Sequence, residues 1–222
     1  MGKTIAIIPA RGGSKRIPDK NIISFNGLPL LAHSINYAKA NPEVIDEVYV
    51  STDSEEIKTI ALSHQAKVIE RPSKFSNDTA PTISVLKHAL ELVEDIDSIV
   101  LLQPTNPLRP ATLLKDAFEV FKNNNYDSLF TVSRDHKKLG KIANNKFIPF
   151  NYEIGQRSQD MEPLYFENGL LYITKSELIS QGIIFNHDSF PYVVDHPFTK
   201  VDIDTYDDLE YAEFLISKGQ DQ

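Results

Sequence analysis

The sequence predicts a three-layer α/β fold on a mainly parallel sheet. Through the first two thirds of the 222 residues, strand-like apolar runs alternate with helical patterns of about 10–15 residues. The stretch DSIVLLQ (97–103) carries four apolar residues in succession, as a strand buried on both faces of a parallel sheet does. Hydrophobic residues make up 41% of the chain, enough for the core of one large domain.

Each element follows from its own pattern. TIAIIP (4–9) reads as a buried strand. LPLLAHSINYAKA (28–40) reads as a helix with Leu31, Ile35 and Ala38 on one face. DEVYVSTD (46–53) is a strand, and SEEIKTIALSHQ a helix capped by Asp53 or Ser54. AKVIE is a short strand. TISVLKHALELVE is a helix with Ile83, Leu86, Leu90 and Val93 in one stripe. TLLKDAFEVFKNNN and DSLFTVS (127–133) continue the helix–strand alternation. From about residue 134 to 166 the rhythm breaks into a polar, irregular insert. Within it KIANNKFIPFN reads as a β-hairpin turning at Asn144-Asn145, a lid or subunit contact by type. GLLYIT (169–174) resumes the sheet, and YVVD and KVDID are further strands. Thr205 caps a last helix that Gly219 stops.

Composition narrows the function. The net charge of −8 argues against a nucleic-acid-binding surface, which needs a broad basic face. No apolar run approaches the roughly 20 residues of a membrane helix. Ile5–Ile8 is too short for a signal-peptide core, and cysteine is absent, so a cytoplasmic location is expected.

Against this acidic background, residues 1–20 hold five basic side chains and one acidic one. Four of the cations, Arg11, Lys15, Arg16 and Lys20, flank Gly12 and Gly13 directly after the first strand. Ligands of doubly wound sheets bind beyond the carboxyl ends of the strands. Glycines let backbone N–H groups approach phosphate oxygens, and arginine adds a bidentate grip. A small polyphosphate is the anion that this mixture suits; a solvated loop with spare charge is the plainer alternative on composition alone. Neither G-x-x-x-x-G-K-[ST] nor G-x-G-x-x-G occurs here. Near the other end, KVDIDTYDDLEYA holds Asp202 and Asp204. In an extended segment residues i and i+2 share a side, so the two carboxylates can share a hard cation such as Mg²⁺. A helix-terminal Asp204 beside a solvated Asp202 is the plainer alternative.

Seven blocks now stand in order: IIPARGGSKRIPDKNI, VSTDSEEI, ERPSKFSNDTAPT, LLQPTNPLR, QRSQD, ENGLLYI and DIDTYDDL. Together they closely resemble the acylneuraminate cytidylyltransferases, or CMP-sialic acid synthetases, over nearly the whole chain. The resemblance implies a Rossmann-like nucleotidyltransferase sheet and a Mg²⁺-dependent reaction. In it the anomeric hydroxyl of a nonulosonic acid attacks the α-phosphorus of CTP, releasing pyrophosphate. It implies that Arg11 and Lys20 hold the triphosphate. Gly12, Gly13 and Ser14 supply backbone donors, with Ala10 and Lys15 in the same nucleotide site. Asn21 and Arg71 meet the cytidine, and Asp202 and Asp204 hold the metal. Gln103, Arg157 and Asn168 meet the sugar, Arg157 as a partner for its carboxylate; Asn168 can instead end a turn. Asp78-Thr79 either caps a helix or touches nucleotide, and Asp53 can simply be a helix cap. The resemblance further implies a homodimer in which the 134–166 insert reaches over the neighbouring active site.

Three positions depart from the family pattern. Ser158 stands where a second basic residue is common, Phe166 where some bacterial enzymes have Arg, and Arg16 where glycine is usual. Two other readings are carried alongside: a metal-dependent glycosyltransferase, and a catalytically silent nucleotide-binding module.

Overall fold

The computed structural model describes residues 2–76 and 80–220. Its strands are β1 (Lys3–Pro9), β2 (Ser24–Phe25), β3 (Leu28–Pro29), β4 (Glu47–Thr52), β5 (Lys67–Glu70), β6 (Ile96–Leu101), β7 (Ser128–Asp135), β8 (Gly140–Ala143), β9 (Lys146–Pro149), β10 (Leu164–Lys175) and β11 (Phe190–Val193). Its helices are α1 (Leu30–Lys39), α2 (Glu55–Ser63), α3 (Thr82–Leu92), α4 (Leu113–Asn123), α5 (Ser176–Ser180) and α6 (Tyr206–Gln220). Seven strands form one sheet in the order β11-β7-β10-β6-β1-β4-β5. All its pairings are parallel except those of β10, which runs against both β6 and β7.

Strand alternation separates the layers. Ala6 and Ile8 of β1 face Leu31 and Ile35 of α1, Ile57 of α2 and Phe121 of α4. Ile5 and Ile7 face the other way, onto Val85, Leu86 and Ala89 of α3 and Ile179 of α5. A third cluster lies beyond the strand ends. It joins Ile17 of the loop after β1 to Phe25, Leu30, Val201, Ile203 and Ala212 of α6. This satellite core ties the cationic loop to the acidic segment.

Most expected elements are present, with informative differences. The Asn26-Gly27 turn, with φ 47° and 79°, folds β2 onto β3, so the first helix starts at Leu30 instead of Leu28. Left-handed Asn144 and Asn145, φ 50° and 60°, close the β8–β9 hairpin at the expected turn. In α3 the fully buried stripe is Val85, Leu86 and Ala89, while Ile83, Leu90 and Val93 lie on its flank. KVDID is not a strand. A 3₁₀ turn, Pro197–Lys200, takes in its first residue, and Ile203 N–H donates to the Thr105 carbonyl at 2.8 Å. The segment therefore lies across the loop after β6 without joining a ladder. Ser54, not Asp53, caps α2, accepting from Ile57 N–H at 3.4 Å. At α6, Thr205 Oγ1 accepts from Asp208 N–H, and Asp208 Oδ2 accepts from Thr205 N–H, a reciprocal cap. The helix runs one residue past Gly219.

At the opposite, amino-terminal edge, Glu47 accepts from Lys67, Tyr49 and Lys3. These bonds, led by that of Lys67, hold its carboxyl down at about 2, against 4.5 normally. A depressed carboxylate stabilises the fold above its unfolded value and loses that contribution as pH falls through the folded one. Both lysines are substantially exposed, so the net contribution is about 1 kcal/mol. Glu47→Gln is expected to lower stability by that amount at pH 7. The deficit should vanish between pH 4.5 and about 2 in denaturant titrations; one that persisted at the acid end would show that packing, not charge, is at stake.

Candidate active site

The carboxyl ends of β1, β4, β5 and β6 meet at one edge of the sheet, where a cavity of about 440 Å³ opens. The segments after β1, β5 and β6 deliver parts of its wall, and the end of β4 supports them from behind. After β1, Ala10 is fully buried and its N–H donates to the Ser51 carbonyl at 3.0 Å, which fixes where the loop departs. Arg11, Ser14, Lys15, Arg16 and Lys20 then line the cavity. Gly13 sits at φ +66°, a left-handed turn that glycine adopts without strain. A Cβ on Gly12 would stand 3.3 Å from the Ser54 Cβ, so the loop lies close on the start of α2.

Two side chains fasten this loop. Asp53, just past β4, accepts from Gly12 N–H at 2.9 Å. This N–H is thus already engaged, and the backbone donors beside it belong to Gly13 and Ser14. Asn21, nearly buried, donates from Nδ2 to the Arg11 carbonyl at 2.8 Å. Asn21 also lines the cavity, so wall and brace are one residue. Arg71, just past β5, is buried to 7% exposure and donates from Nη2 to the Ser51 carbonyl at 2.6 Å. Burial, with nearby Arg11, pulls its pKa down to about 10, while Asp53 pushes the other way. It remains a cation at neutral pH. Asp78 and Thr79 lie outside the described residues.

A second cavity, about 770 Å³, opens beside the first. Gln103 lines both. The second is walled by Arg134 at the end of β7, by Lys137, by Phe166 and Asn168 of β10, and by Lys200 and Asp202. The cations Arg134, Lys137 and Lys200 share this lining with the acids Asp135, Glu167 and Asp202. The three cations were missed in the sequence because they belong to no phosphate or metal motif, and only the fold brings Lys200 to the end of β7.

Asn168 is buried, and its carboxamide is heavily engaged. Its Oδ1 accepts from Thr131 Oγ1 at 2.6 Å and from Leu170 N–H at 3.1 Å, and its Nδ2 donates to Ser133 Oγ at 2.9 Å. It clasps an irregularity of β10 where Gly169 turns through φ +74°. A Cβ on Gly169 would lie 2.9 Å from Asn106 Oδ1, so a side chain does not fit. Arg157 stands apart. It is 71% exposed on the insert, pairs with Asp160 at 2.7 Å and lines neither cavity.

The acidic pair sits at the junction. Val201 and Ile203 point into the satellite core, so Asp202 and Asp204 point out of it. Asp204 lines the first cavity and Asp202 the second. Lys20 Nζ donates to Asp204 Oδ1 at 2.6 Å, and Arg16 Nη1 donates to Asp204 Oδ2. The pKa of Asp202 is raised, chiefly by withdrawal from water and further by Asp204, against a hydrogen bond from Thr105. Among the described residues, no group of three or more Asp, Glu, His or Cys is placed to hold a metal. Two hard carboxylates whose charges repel each other suit a Mg²⁺ that completes its shell with phosphate oxygens and water.

Comparisons with known proteins supply the family. A family model described as Cytidylyltransferase matches residues 5–221. The chain is 36% identical to a pseudaminic acid cytidylyltransferase of Campylobacter jejuni, over 96% of both chains. It is 34% identical to an N-acylneuraminate cytidylyltransferase of Streptococcus agalactiae, over 93% of this chain and 52% of that one. Among solved structures, a CMP:2-keto-3-deoxy-manno-octonic acid synthetase complexed with CTP superposes with a TM-score of 0.73 at 17% identity, covering 98% of this chain and 99% of that chain. That likeness speaks for the fold. A glycosyltransferase reading has no place beside a match over residues 5–221. With its loop after β1, its paired cavities and this match, the chain belongs to the cytidylyltransferase family.

Proposed function

We propose that this nucleotidyltransferase moves a cytidylyl group from CTP to the anomeric hydroxyl of a nonulosonic acid, giving the CMP-sugar and pyrophosphate. One observation carries the reading. Two cavities share Gln103, and consecutive outward positions of one segment place Asp204 on the first and Asp202 on the second. A nucleotide in one and a sugar acid in the other would meet at that junction. The names of the two relatives supply the sugar class.

The residues have separable tasks. Arg11, Lys15 and Lys20 neutralise the triphosphate, lowering the barrier to attack on an anionic phosphorus and stabilising the leaving pyrophosphate. Gly13 and Ser14 offer backbone donors. Asn21 and Arg71 border the nucleotide's base and ribose. Gln103 orients the sugar, and Arg134 or Lys200 pairs with its carboxylate. Asp202 and Asp204 would hold Mg²⁺, which supplies charge neutralisation at the phosphates and a lowered pKa for the attacking hydroxyl. These roles describe a working enzyme, not a silent binding module.

The insert 134–166 exposes Ile142, Phe147, Phe150 and Ile154. That much apolar surface supports a homodimer contact, with Arg157 carried towards the neighbouring site. Among the described residues no helix is long and apolar enough to cross a membrane. A CTP-consuming reaction fits the cytoplasm.

The test is pyrophosphate release with CTP, Mg²⁺ and a panel of sialic, deaminated, legionaminic and pseudaminic acids, with ATP, GTP and UTP as controls. Release with CTP and one acid is expected. Silence with every acid despite CTP binding would sink the reaction. In the same assay Arg11→Ala should cost about 2–4 kcal/mol in kcat/KM for CTP. A value within twofold of wild type would place Arg11 outside the site.

A further inference from the structure

We propose that Arg16 is an exchangeable counterion, shared between Asp204 and the bound triphosphate, that couples nucleotide entry to metal binding. This rests on the metal reading of the acidic pair.

Both carboxylate oxygens of Asp204 carry a cation, Lys20 Nζ on Oδ1 and Arg16 Nη1 on Oδ2. The two cations are held very differently. The Lys20 side chain is 13% exposed, whereas that of Arg16 is 70% exposed. An exposed ion pair is cheaply exchanged, because water and salt screen it and the long side chain loses freedom in making it. Arg16 also lines the first cavity together with Arg11 and Lys15. A triphosphate there gives its guanidinium a second anion within reach, with bidentate geometry.

The consequence is linkage. While Arg16 caps Oδ2, a divalent cation must displace it to coordinate Asp204. Once phosphate draws Arg16 away, that oxygen opens toward the junction. Nucleotide thus strengthens metal binding, and by reciprocity metal strengthens nucleotide binding. Lys20 is the less exchangeable of the two: its side chain is mostly buried, and it can face phosphate while still on the other oxygen.

The test uses Mn²⁺ as the probe, titrated by electron paramagnetic resonance without nucleotide, and CTP binding by calorimetry in EDTA. Arg16→Met keeps an unbranched apolar stem and removes the charged head. It is expected to bind Mn²⁺ at least fivefold tighter than wild type and to bind metal-free CTP at least fivefold more weakly. Arg16→Lys should restore both values towards wild type, which a structural role for the guanidinium would not produce. Equal Mn²⁺ affinity in Arg16→Met and wild type, while Asp202→Asn/Asp204→Asn weakens Mn²⁺ binding, would overturn the Arg16 proposal alone. Mn²⁺ binding unaltered in all these proteins would overturn the metal reading, and this proposal with it. Metal-free CTP binding unchanged by Arg16→Met would also overturn it, because Arg16 would then have no second partner.

Discussion

Asp202→Asn is expected to keep the fold and lose at least about a hundredfold in turnover, the scale of removing one electrostatic stabiliser from a transition state. Asn keeps the shape and one oxygen, so the packing of Val201 and Ile203 beneath it is untouched. What goes is the negative charge on the sugar side of the junction. The same substitution should leave thermal stability level or slightly raised. Burial and Asp204 hold the Asp202 pKa up, so its ionised form is disfavoured in the folded protein. A carboxylate shifted upward weighs against folding above its folded pKa, and that penalty disappears as pH falls below its unfolded value. Asparagine removes the penalty at neutral pH. Pyrophosphate release and melting curves on one preparation check both halves; near-normal turnover with Mg²⁺ would take Asp202 out of the chemistry.

The largest loss of stability is expected from Arg109→Ala. Arg109 is buried behind the junction of the two cavities. It donates to the Leu170 carbonyl at 2.7 Å, to the Gln103 carbonyl at 2.9 Å and to Ser34 Oγ at 3.1 Å. Its guanidinium also lies 5.5 Å from the centre of the Tyr37 ring. Burial draws its pKa down to about 10, still well above neutrality. Truncation leaves a void and takes the Arg109 donor from the Leu170 carbonyl, while the Gln103 carbonyl keeps Asn106 N–H and Ser34 Oγ, a cost of about 3–5 kcal/mol. In a chain of this size that lowers the Tm by roughly 10 °C. Lysine cannot make the three-way fork, so Arg109→Lys should recover little. A Tm within about 2 °C of wild type for Arg109→Ala would show that water or a neighbour replaces the fork.

The arrangement of this fold was legible wherever a local pattern coincided with burial. The apolar runs Ile5–Ile8 and Ile99–Leu102 announced the central strands, and Asn144-Asn145 announced its hairpin. The loop after β1 was legible because glycines and cations crowd it far beyond the needs of a solvated turn. The antiparallel course of β10 was not, since strand direction is a property of connections and leaves no periodicity. KVDID misled because alternation survives without a ladder. Its in-and-out pattern comes from Val201 and Ile203 entering a core under the loop, not from pairing. Asp53 was read as a cap from its position, yet its carboxylate was drawn to Gly12 N–H from a distant part of the chain. Arg134 and Lys137 at the end of β7 meet Lys200 from a segment more than 60 residues later, and nothing local marks them as one lining.

The satellite core of Ile17, Val201, Ile203 and Ala212 also sets an order of assembly. All the strands of the main sheet precede residue 194, and the sheet can close with its two large cores in place. Ile17 can meet Phe25, Leu30 and Leu108 early, but its cluster is complete only when residues 201–212 have been made and α6 has docked. Until then the cationic loop has half its apolar anchor, and the carboxylates that face it have not arrived. A chain still leaving the ribosome would therefore own a nearly finished scaffold and no chemistry, with competence arriving in a single late event.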